Sequence, residues 1–264
     1  ACPKAGLQRT MFSATIPPGV EELARSVLHD PVRIVIGVRT AGASTISQQL
    51  VFVGREQGKL LAMRQLIQRG LRPPVIVFVQ SKERAQELFR ELVYDGVSVD
   101  VLHADRTQAQ RDAIVQRFRT GKIWMLIATD LVARGLDFKG VNCVINFDFP
   151  QSAVSYVHRI GRTGRAGRSG DAVTFFTESD VPMLRSIANV MRLSGCDVAE
   201  WMLHLKKTPR ETRKRMERSA PKRPRISTMS AYDRKRLHNR KEARGAQQAK
   251  QQRRLAKGVE QAEE

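Results

Sequence analysis

Short apolar segments alternate with amphipathic helical patterns through most of this 264-residue chain. The segments that we interpret as strands are 50–53, 75–79, 97–102, 124–128, 141–146 and 172–176. Val75–Val79 is apolar at every position, so both of its faces would be buried. Strands of this kind lie in parallel sheets that helices cover on both faces. The sequence therefore predicts an α/β fold with a mostly parallel sheet, and ligands at the carboxyl ends of its strands.

Side chains that can cap helices mark where several helices begin. Ser81 is the predicted cap of a helix that ends near residue 96. Thr107 and Gln110 have the spacing of a capping box, in which each residue bonds the backbone amide of the other. The predicted caps of two further helices are Ser152 and Ser179. The helices thus fall between the predicted strands.

The pattern divides the chain into four parts, 1–36, 37–47, 48–205 and 206–264. The first part has strand patterns at 8–12 and 32–36 around one helix, too little to close a core, so we interpret it as the end of a preceding domain. The second is rich in Gly, Ala, Ser and Thr and is the predicted linker. The third carries the alternating strands and helices. The fourth has 20 Lys+Arg against 7 Asp+Glu, and we expect a partly disordered basic tail.

The formal net charge of +20 favours a polyanionic partner, because Lys and Arg neutralise phosphates. A membrane surface is the alternative, but the longest apolar stretches are far shorter than a bilayer span, so we expect no membrane partner. Cys2, Cys143 and Cys196 form no CxxC pair, which argues against a disulfide framework or a metal site and favours a reducing compartment. The chain starts at Ala1 without a signal-peptide pattern, and we interpret it as a fragment.

A cluster of cationic side chains among small residues follows the helix predicted to start at Ser152. It reads His158-Arg159-Ile160-Gly161-Arg162-Thr163-Gly164-Arg165, and we call residues 158–165 the arginine segment. Arginine is always charged and presents a planar fork of donors that suits phosphate oxygens, while glycine lets the backbone approach a ligand. A solvated basic turn is the alternative for any single Arg-Gly pair. The whole segment favours phosphate binding.

The arginine segment resembles motif VI of the DEAD-box RNA helicases, and other motifs of that family occur in the family's order. They are Ser13-Ala14-Thr15 for motif III, Val75–Val79 with Ser81 for motif IV, Gln108-Ala109-Gln110-Arg111 for QxxR, and Ala128-Thr129-Asp130 with Ala133-Arg134-Gly135-Leu136-Asp137 for motif V. The resemblance covers about residues 1–205. It implies a RecA-like parallel sheet with helices on both faces, preceded by the end of another RecA-like domain.

For the nucleotide, the resemblance implies that Arg162 and Arg165 are arginine fingers, which stabilise charge on the γ-phosphoryl group of ATP. Asp137 would accept a hydrogen bond from the ribose hydroxyl, and Gly135 would let the backbone approach the nucleotide. The chain contains neither a GxxxxGKS or GxxxxGKT phosphate loop nor an Asp-Glu-Ala-Asp sequence. We therefore expect ATP and Mg²⁺ to be held mainly by a first RecA-like domain, and this chain alone to be inactive.

The resemblance also implies that His158 joins Ser13 and Thr15 in a polar network that couples the two domains. A histidine that only hydrogen-bonds backbone near the end of a helix is the alternative. The same resemblance implies that this network also reaches the carboxylates of the Asp-Glu-Ala-Asp sequence in the first RecA-like domain.

For RNA, the resemblance implies contacts from Ser81, Gln108, Arg111 and Thr129 to phosphates and sugars. Thr129 follows a strand, where its hydroxyl and the next amides can meet a phosphate, and Gln108 and Arg111 lie three residues apart on one helix face. Such binding is independent of base sequence and sensitive to salt. The alternatives are a helix cap for Ser81 and, for Arg111, a surface ion pair with Asp105 or Asp112.

One departure from the family pattern is Ala104, where His103-Ala104-Asp105 stands in place of His-Gly-Asp. If the backbone must approach RNA closely there, the contact changes. The added group is a single methyl, so we expect an adjusted contact that is not lost.

Within the family, several stretches are similar to the subgroup that acts in small-subunit ribosome assembly. They are Lys122-Ile123-Trp124, Asp137-Phe138-Lys139-Gly140-Val141-Asn142, and Ser194-Gly195-Cys196-Asp197-Val198. The resemblance implies an ATP-dependent RNA helicase of the nucleus and nucleolus, with pre-rRNA and ribosome assembly factors as partners and no obligate homo-oligomer. Residues 221–225 are compatible with nuclear import or with RNA binding.

Two other functions stay open from the residues. The first is a non-catalytic RNA- or protein-docking module derived from a helicase domain, which the absent phosphate loop favours and the retained Arg162 and Arg165 disfavour. The second is a DNA translocase of the same superfamily. His158-Arg159-Ile160 disfavours it, because the DEAH group has Gln-Arg at the start of this motif.

Overall fold

Six parallel strands form one sheet in the order β1-β6-β5-β2-β4-β3. The computed structural model of the chain describes residues 7–13, 15–16, 18–35, 42–130, 138, 140–165 and 167–228. The strands are β1 (Ile46–Phe52), β2 (Val75–Val79), β3 (Val99–Leu102), β4 (Met125–Thr129), β5 (Cys143–Asn146) and β6 (Gly170–Phe176). Every predicted strand of the central part is present, and the predicted parallel α/β fold is confirmed.

The helices of the described residues include the one predicted in the N-terminal part and those predicted to begin after Ser81, Thr107 and Ser152, and the last of them lies in the region predicted as a basic tail. They are α1 (Pro18–Val27), α2 (Glu56–Gln68), α3 (Lys82–Tyr94), α4 (Gln108–Arg119), α5 (Ala153–Ile160), α6 (Val181–Leu193), α7 (Glu200–His204) and α8 (Arg210–Arg218). None of these described helices combines the length and the apolar character that a membrane span requires.

Three of the four predicted helix caps are confirmed. Ser81 caps α3, Thr107 and Gln110 form the capping box of α4, and Ser152 accepts the amide of Ser155 at the start of α5. The prediction for Ser179 is wrong. Ser179 lies inside a 3-10 turn, Glu178–Asp180, and α6 begins after that turn.

Helices cover both faces of the sheet because strand side chains alternate between the faces. On one face, α2 and α3 pack against alternate residues of β2, β4 and β5, in a core cluster that includes Leu88, Val77 and Ile145. On the other face, Phe118 of α4 and Phe78 of β2 belong to one core cluster, while α5 and α6 cover β1 and β6. Each large side chain buried in these layers stabilises the fold by about 1.5–3 kcal/mol.

The two strands predicted in the N-terminal part are not formed in the described residues. Residues 7–13 and 31–35 have no regular secondary structure, and Phe12 is 92% exposed and Ile34 81%. A strand needs a neighbour that completes its backbone hydrogen bonds, and no described residue of this chain provides one. The apolar pattern alone was therefore insufficient to predict a strand here.

The domain extends beyond the boundary that the sequence predicts after residue 205. The chain divides into a compact unit, Ala1–Ile226, and a second unit, Ser227–Glu264, of which the structure describes Ser227 and Thr228. Met216 of α8 and Ile226 both pack against the core. We call residues 219–226 the C-terminal strap. Residues 206–226 of the predicted tail therefore belong to the same compact unit as the sheet domain.

Arg223 of the C-terminal strap enters a cluster of buried charges. We call this the buried charge cluster; its members are Glu56, Lys59, Arg84, Asp148, Asp180 and Arg223. The side chain of Arg223 is 3% exposed and pairs with Glu56 and with Asp180, the latter at 2.6 Å. Three cations thus face three carboxylates in a water-poor environment.

Asp148 lies at the centre of this cluster and is fully buried. Burial opposes its charge, but the Lys59 ammonium and the Arg84 guanidinium outweigh burial and hold the pKa of this carboxyl below its ordinary value. The stability that the lowered pKa contributes is therefore present at neutral pH. It is lost only in strong acid, as the pH falls through the lowered pKa.

The balance of charge in the cluster predicts different losses of stability for two arginines of the C-terminal strap. Arg223→Ala leaves two cations facing three buried carboxylates, and we expect the free energy of unfolding to fall by about 3–5 kcal/mol. The matched control is Arg225→Ala, which removes the same charge from a side chain that is 83% exposed and should cost at most about 1 kcal/mol. Urea denaturation measures both, and equal losses would contradict the structural role of Arg223.

Candidate functional site at the carboxyl edge of the sheet

The predicted site residues gather where the parallel strands end. Thr129 is the last residue of β4 and pairs in register with Val79, the last residue of β2. Ser81 follows β2 by two residues, and α4 begins with Gln108 after the loop that leaves β3. The arginine segment starts on α5, which follows β5. Gly135 and Asp137 lie outside the described residues.

The N-terminal part meets the arginine segment through a side-chain hydrogen bond. Thr15 Oγ1 and His158 Nε2 are 2.9 Å apart, and Thr15 is buried. Ser13 Oγ donates to the carbonyl of Thr15 at 2.6 Å and accepts the amide of the same residue at 3.2 Å. The structure therefore brings together Ser13, Thr15 and His158. The bond from His158 reaches a side chain 143 residues away along the chain.

Arg159 is the member of the arginine segment that the structure assigns to the core. Its guanidinium forms a two-bond pair with the Asp130 carboxylate at 2.6 and 2.8 Å and donates to the carbonyl of Asp148 at 2.7 Å. It also lies over the ring of Phe78, 5.3 Å from the centroid. Arg159 is 3% exposed, so it holds α5 to the ends of β4 and β5 and does not face a ligand. Sequence reasoning gave Arg159 no role separate from its neighbours.

Arg162 and Arg165 differ from Arg159 because both are only half-buried. Each is held through its Nε by a backbone carbonyl four residues earlier. Arg162 Nε donates to His158 at 3.3 Å, and Arg165 Nε donates to Gly161 at 2.8 Å. These bonds restrict the direction of the two guanidinium groups before any ligand arrives, which reduces the entropy lost when a phosphate is bound.

Gly164 serves packing within the domain, which differs from the close approach to a ligand expected from sequence. Its φ is +64°, and a Cβ there would lie 2.5 Å from Cγ1 of Ile46 on β1. Next to it, Thr163 is buried and donates to the carbonyl of Val141 at 2.7 Å. The end of the arginine segment is therefore fixed against the sheet by tight contacts that a larger residue would break.

Ser81 and Gln108 both have partners within the chain. Ser81 Oγ accepts the amide of Arg84 at 3.3 Å, so the helix-cap alternative is realised. Gln108 is exposed, and its Nε2 donates to Asp112 at 2.8 Å. Both residues lie on the carboxyl side of the sheet, within reach of solvent.

Arg111 does not form the ion pair that was its alternative role. Asp105 pairs with Lys82 at 2.8 Å, and Asp112 accepts from Gln108. The Nε of Arg111 is buried and has no hydrogen-bond partner among the described residues. Ala104 has ordinary backbone geometry, because Asp30 is the one non-glycine residue of the described chain with a positive φ. The position of Ala104 therefore does not require glycine for its conformation.

The donors at this edge fit a phosphate-bearing ligand better than a metal ion. Arg162 and Arg165 are permanently cationic and suit phosphate oxygens. In the described part of the chain, no group of three or more His, Cys, Asp or Glu side chains is placed to hold a metal ion.

A parallel sheet of this order, with an arginine segment and hydroxyl groups at its carboxyl edge, defines a RecA-like domain of the helicase type. Residues 58–167 match the family described as "Helicase conserved C-terminal domain". The E. coli DEAD-box protein SrmB, solved bound to regulator of ribonuclease activity A, is 30% identical with a TM-score of 0.53; the match covers 62% of this chain and 96% of that one. The chain therefore belongs to the DEAD-box family of RNA helicases.

Two further relatives resemble the chain over most of its length. The Dictyostelium discoideum protein described as "Probable ATP-dependent RNA helicase ddx52" is 58% identical over 206 residues, which are 78% of this chain and 31% of that protein. The chain thus spans about a third of that relative. S. cerevisiae Dbp5 bound to RNA and ADP BeF3 is 28% identical with a TM-score of 0.59, over 78% of this chain and 54% of that one.

The contacts of Arg159 generate a prediction that separates it from a ligand-binding arginine. Lysine keeps the charge but cannot pair with both oxygens of Asp130 and reach the carbonyl of Asp148. We expect Arg159→Lys to lower the free energy of unfolding by about 2–3 kcal/mol. The control is Arg168→Lys at an exposed position, which should change it by less than about 0.5 kcal/mol. Thermal or urea unfolding gives both values, and an unchanged stability for Arg159→Lys would refute the core assignment.

Proposed function

We propose that this chain supplies the arginine fingers and part of the RNA-binding surface of an ATP-dependent RNA helicase. The observation that carries the proposal is the 2.9 Å bond between Thr15 and His158. This bond attaches the arginine segment to the N-terminal part, which in the proposal is the end of the ATP-binding RecA-like domain. Arg162 and Arg165 then face the nucleotide site from the other side of the interdomain cleft.

In this proposal, Arg162 and Arg165 accelerate ATP hydrolysis through the positive charge of their guanidinium groups. ATP, held with Mg²⁺ mainly by the first RecA-like domain, supplies the phosphoryl group that is transferred to water. The two guanidinium groups stabilise the negative charge that develops on its oxygens, and their Nε bonds to backbone keep them aimed. Asp137 accepts from the ribose hydroxyl and Gly135 lets the backbone approach, although neither lies among the described residues.

The RNA surface of the proposal consists of Ser81, Gln108, Arg111 and Thr129 at the ends of β2, β3 and β4. Arg111 supports it most directly, because its charge has no carboxylate partner among the described residues and a phosphate would provide one. The Dbp5 structure that the chain resembles contains RNA together with ADP BeF3. Contacts to phosphates and sugars make the binding independent of base sequence.

The proposed substrate is pre-rRNA during assembly of the small ribosomal subunit, with assembly factors as partners in the nucleolus. Basic charge on the folded part of the C-terminal region supports a large RNA. Residues 206–228 carry ten Lys+Arg against two Asp+Glu, and Lys214 and Arg215 are exposed on α8. Arg223 is excluded from this surface and from an import signal while the C-terminal strap is docked, because its side chain is buried.

Replacing one finger tests the proposal in this chain joined to a first RecA-like domain. Arg162→Lys keeps the charge but loses the planar fork, and the RNA-stimulated ATPase turnover should fall by about 10³-fold or more. RNA affinity should stay near the wild-type value, because Arg162 contacts phosphates of ATP and not of RNA. Arg168→Lys, an exposed arginine just after the segment, is the control with unchanged turnover.

Two results of this experiment would contradict the assignment of Arg162 as an arginine finger. Unchanged turnover in Arg162→Lys would reject the catalytic role of Arg162 and would favour the docking-module function. An equal loss of turnover and of RNA affinity would mean that Arg162 contacts RNA or maintains the fold.

A further inference from the structure

We propose that Arg223 is a positioning residue for RNA binding, which holds the Gln80–Ser81 turn in place from the C-terminal strap. The inference rests on the proposed function, since it takes Ser81 as an RNA contact. Arg223 itself does not touch RNA, because its side chain is 3% exposed. It acts through Gln80, the residue immediately before Ser81.

Gln80 is held on three sides. Its backbone amide donates to Asp148 Oδ2 at 2.9 Å. Its side-chain Nε2 donates to the carbonyl of Pro221 at 2.8 Å, and its Oε1 accepts from Arg223 Nε at 3.0 Å. Both polar atoms of the Gln80 side chain therefore bond to the C-terminal strap.

The other side of Ser81 is tied to the same strap through Arg84. The backbone amide of Arg84 donates to Ser81 Oγ at 3.3 Å, and Nη1 of Arg84 donates to the carbonyl of Pro224 at 2.7 Å. Residues one before and three after the RNA contact are thus both hydrogen-bonded to residues 221–224. The C-terminal strap encloses the turn that presents the Ser81 hydroxyl.

The guanidinium of Arg223 is suited to this role by its shape. Nε bonds Gln80 after β2, Nη1 pairs with Glu56 at the start of α2, and Nη2 pairs with Asp180 in the 3-10 turn at 2.6 Å. One planar group therefore fixes three elements relative to each other, which a lysine with a single nitrogen cannot do. Arg225 lies two residues away, and its side chain is 83% exposed and has a 3.7 Å contact with Glu87.

Hydrogen exchange of the 264-residue chain, with and without a ten-nucleotide uridine oligonucleotide, tests this role locally. The variants are Arg223→Lys, which keeps the charge, and Gln80→Ala, which removes the link and leaves the buried charge cluster intact. Arg225→Lys is the matched control from the same strap. Ser81→Ala tests whether protection by RNA depends on the hydroxyl; it is read at residues 80–83, because the amide of Arg84 loses its cap in this variant whether or not RNA is bound.

In the wild-type chain and in Arg225→Lys, the oligonucleotide should slow exchange of the amides of residues 80–84. In Arg223→Lys and Gln80→Ala, these amides should exchange about tenfold faster without RNA, the change expected when one charge-assisted hydrogen bond is lost. RNA should no longer protect them, and in Gln80→Ala, which leaves the buried charge cluster intact, exchange in β6 should stay at the wild-type rate. That difference separates local positioning from a general loss of stability.

Three results would overturn the inference. If Arg223→Lys and Gln80→Ala keep the RNA protection seen in the wild type, Arg223 does not position Ser81, and the proposed RNA surface stands. If exchange in β6 of Gln80→Ala accelerates as much as exchange at residues 80–84, the link between Gln80 and Arg223 serves stability alone. If the wild-type chain shows no protection at residues 80–84, the Ser81 contact itself is wrong and the inference falls with it.

Discussion

Asp148, a fully buried carboxylate just after the central strand β5, is the residue on which both halves of the carboxyl edge depend. Its side-chain oxygens accept from Lys59, Arg84 and the amide of Gln80. Its backbone carbonyl accepts from Arg159 of the arginine segment. A buried carboxylate is costly unless cations and donors surround it. The fold meets that requirement with residues drawn from both sides of the site.

Residues on the nucleotide side and on the RNA side of the proposed site are therefore both hydrogen-bonded to Asp148, which is their common anchor. Arg159 links that anchor to Asp130 at the end of β4, next to Thr129, and to α5, which leads to Arg162 and Arg165. Gln80 and Arg84 link it to Ser81. In the proposed helicase, a movement of the arginine segment relative to the N-terminal part would thus carry the whole carboxyl edge with it. Among the described residues, the contacts across this junction include the hydrogen bond between Thr15 and His158, and a contact of this kind suits domains that open and close.

Much of the fold and part of the site could be predicted from the sequence, because the relevant signals are local. Apolar runs such as Val75–Val79 identify strands buried on both faces, and Thr107 with Gln110 identifies a helix start. The segment His158 to Arg165 is unusual enough to indicate a phosphate site. What it does not reveal is that Arg159 points inward, since the direction of a side chain depends on Asp130 and Asp148 in other elements.

The buried charge cluster is harder to predict for the same reason. Arg84 shares its helix row with Leu88 and Leu92, and a cation in an apolar row is a signal that an acidic partner lies beneath it. No such signal exists for Arg223, which is 167 residues from Glu56 and sits among other basic residues that look solvated. Composition therefore predicts a tail where the structure has a packed strap. The N-terminal strand predictions are wrong for a different reason. An apolar run forms a strand only where a neighbouring strand completes its backbone hydrogen bonds.

In the proposed function, Arg162 and Arg165 form one half of a composite nucleotide site that closes together with the RNA-binding edge. A structure of this chain joined to an ATP-binding RecA-like domain, with ADP, beryllium fluoride and single-stranded RNA bound, tests it most directly. The quantity to measure is the distance from each guanidinium to the fluoride that occupies the position of a γ-phosphate oxygen. A distance of about 3 Å, the length of a hydrogen bond, is expected for both arginines. In a closed, RNA-bound complex, guanidinium groups that remain directed into solvent away from the nucleotide would contradict it.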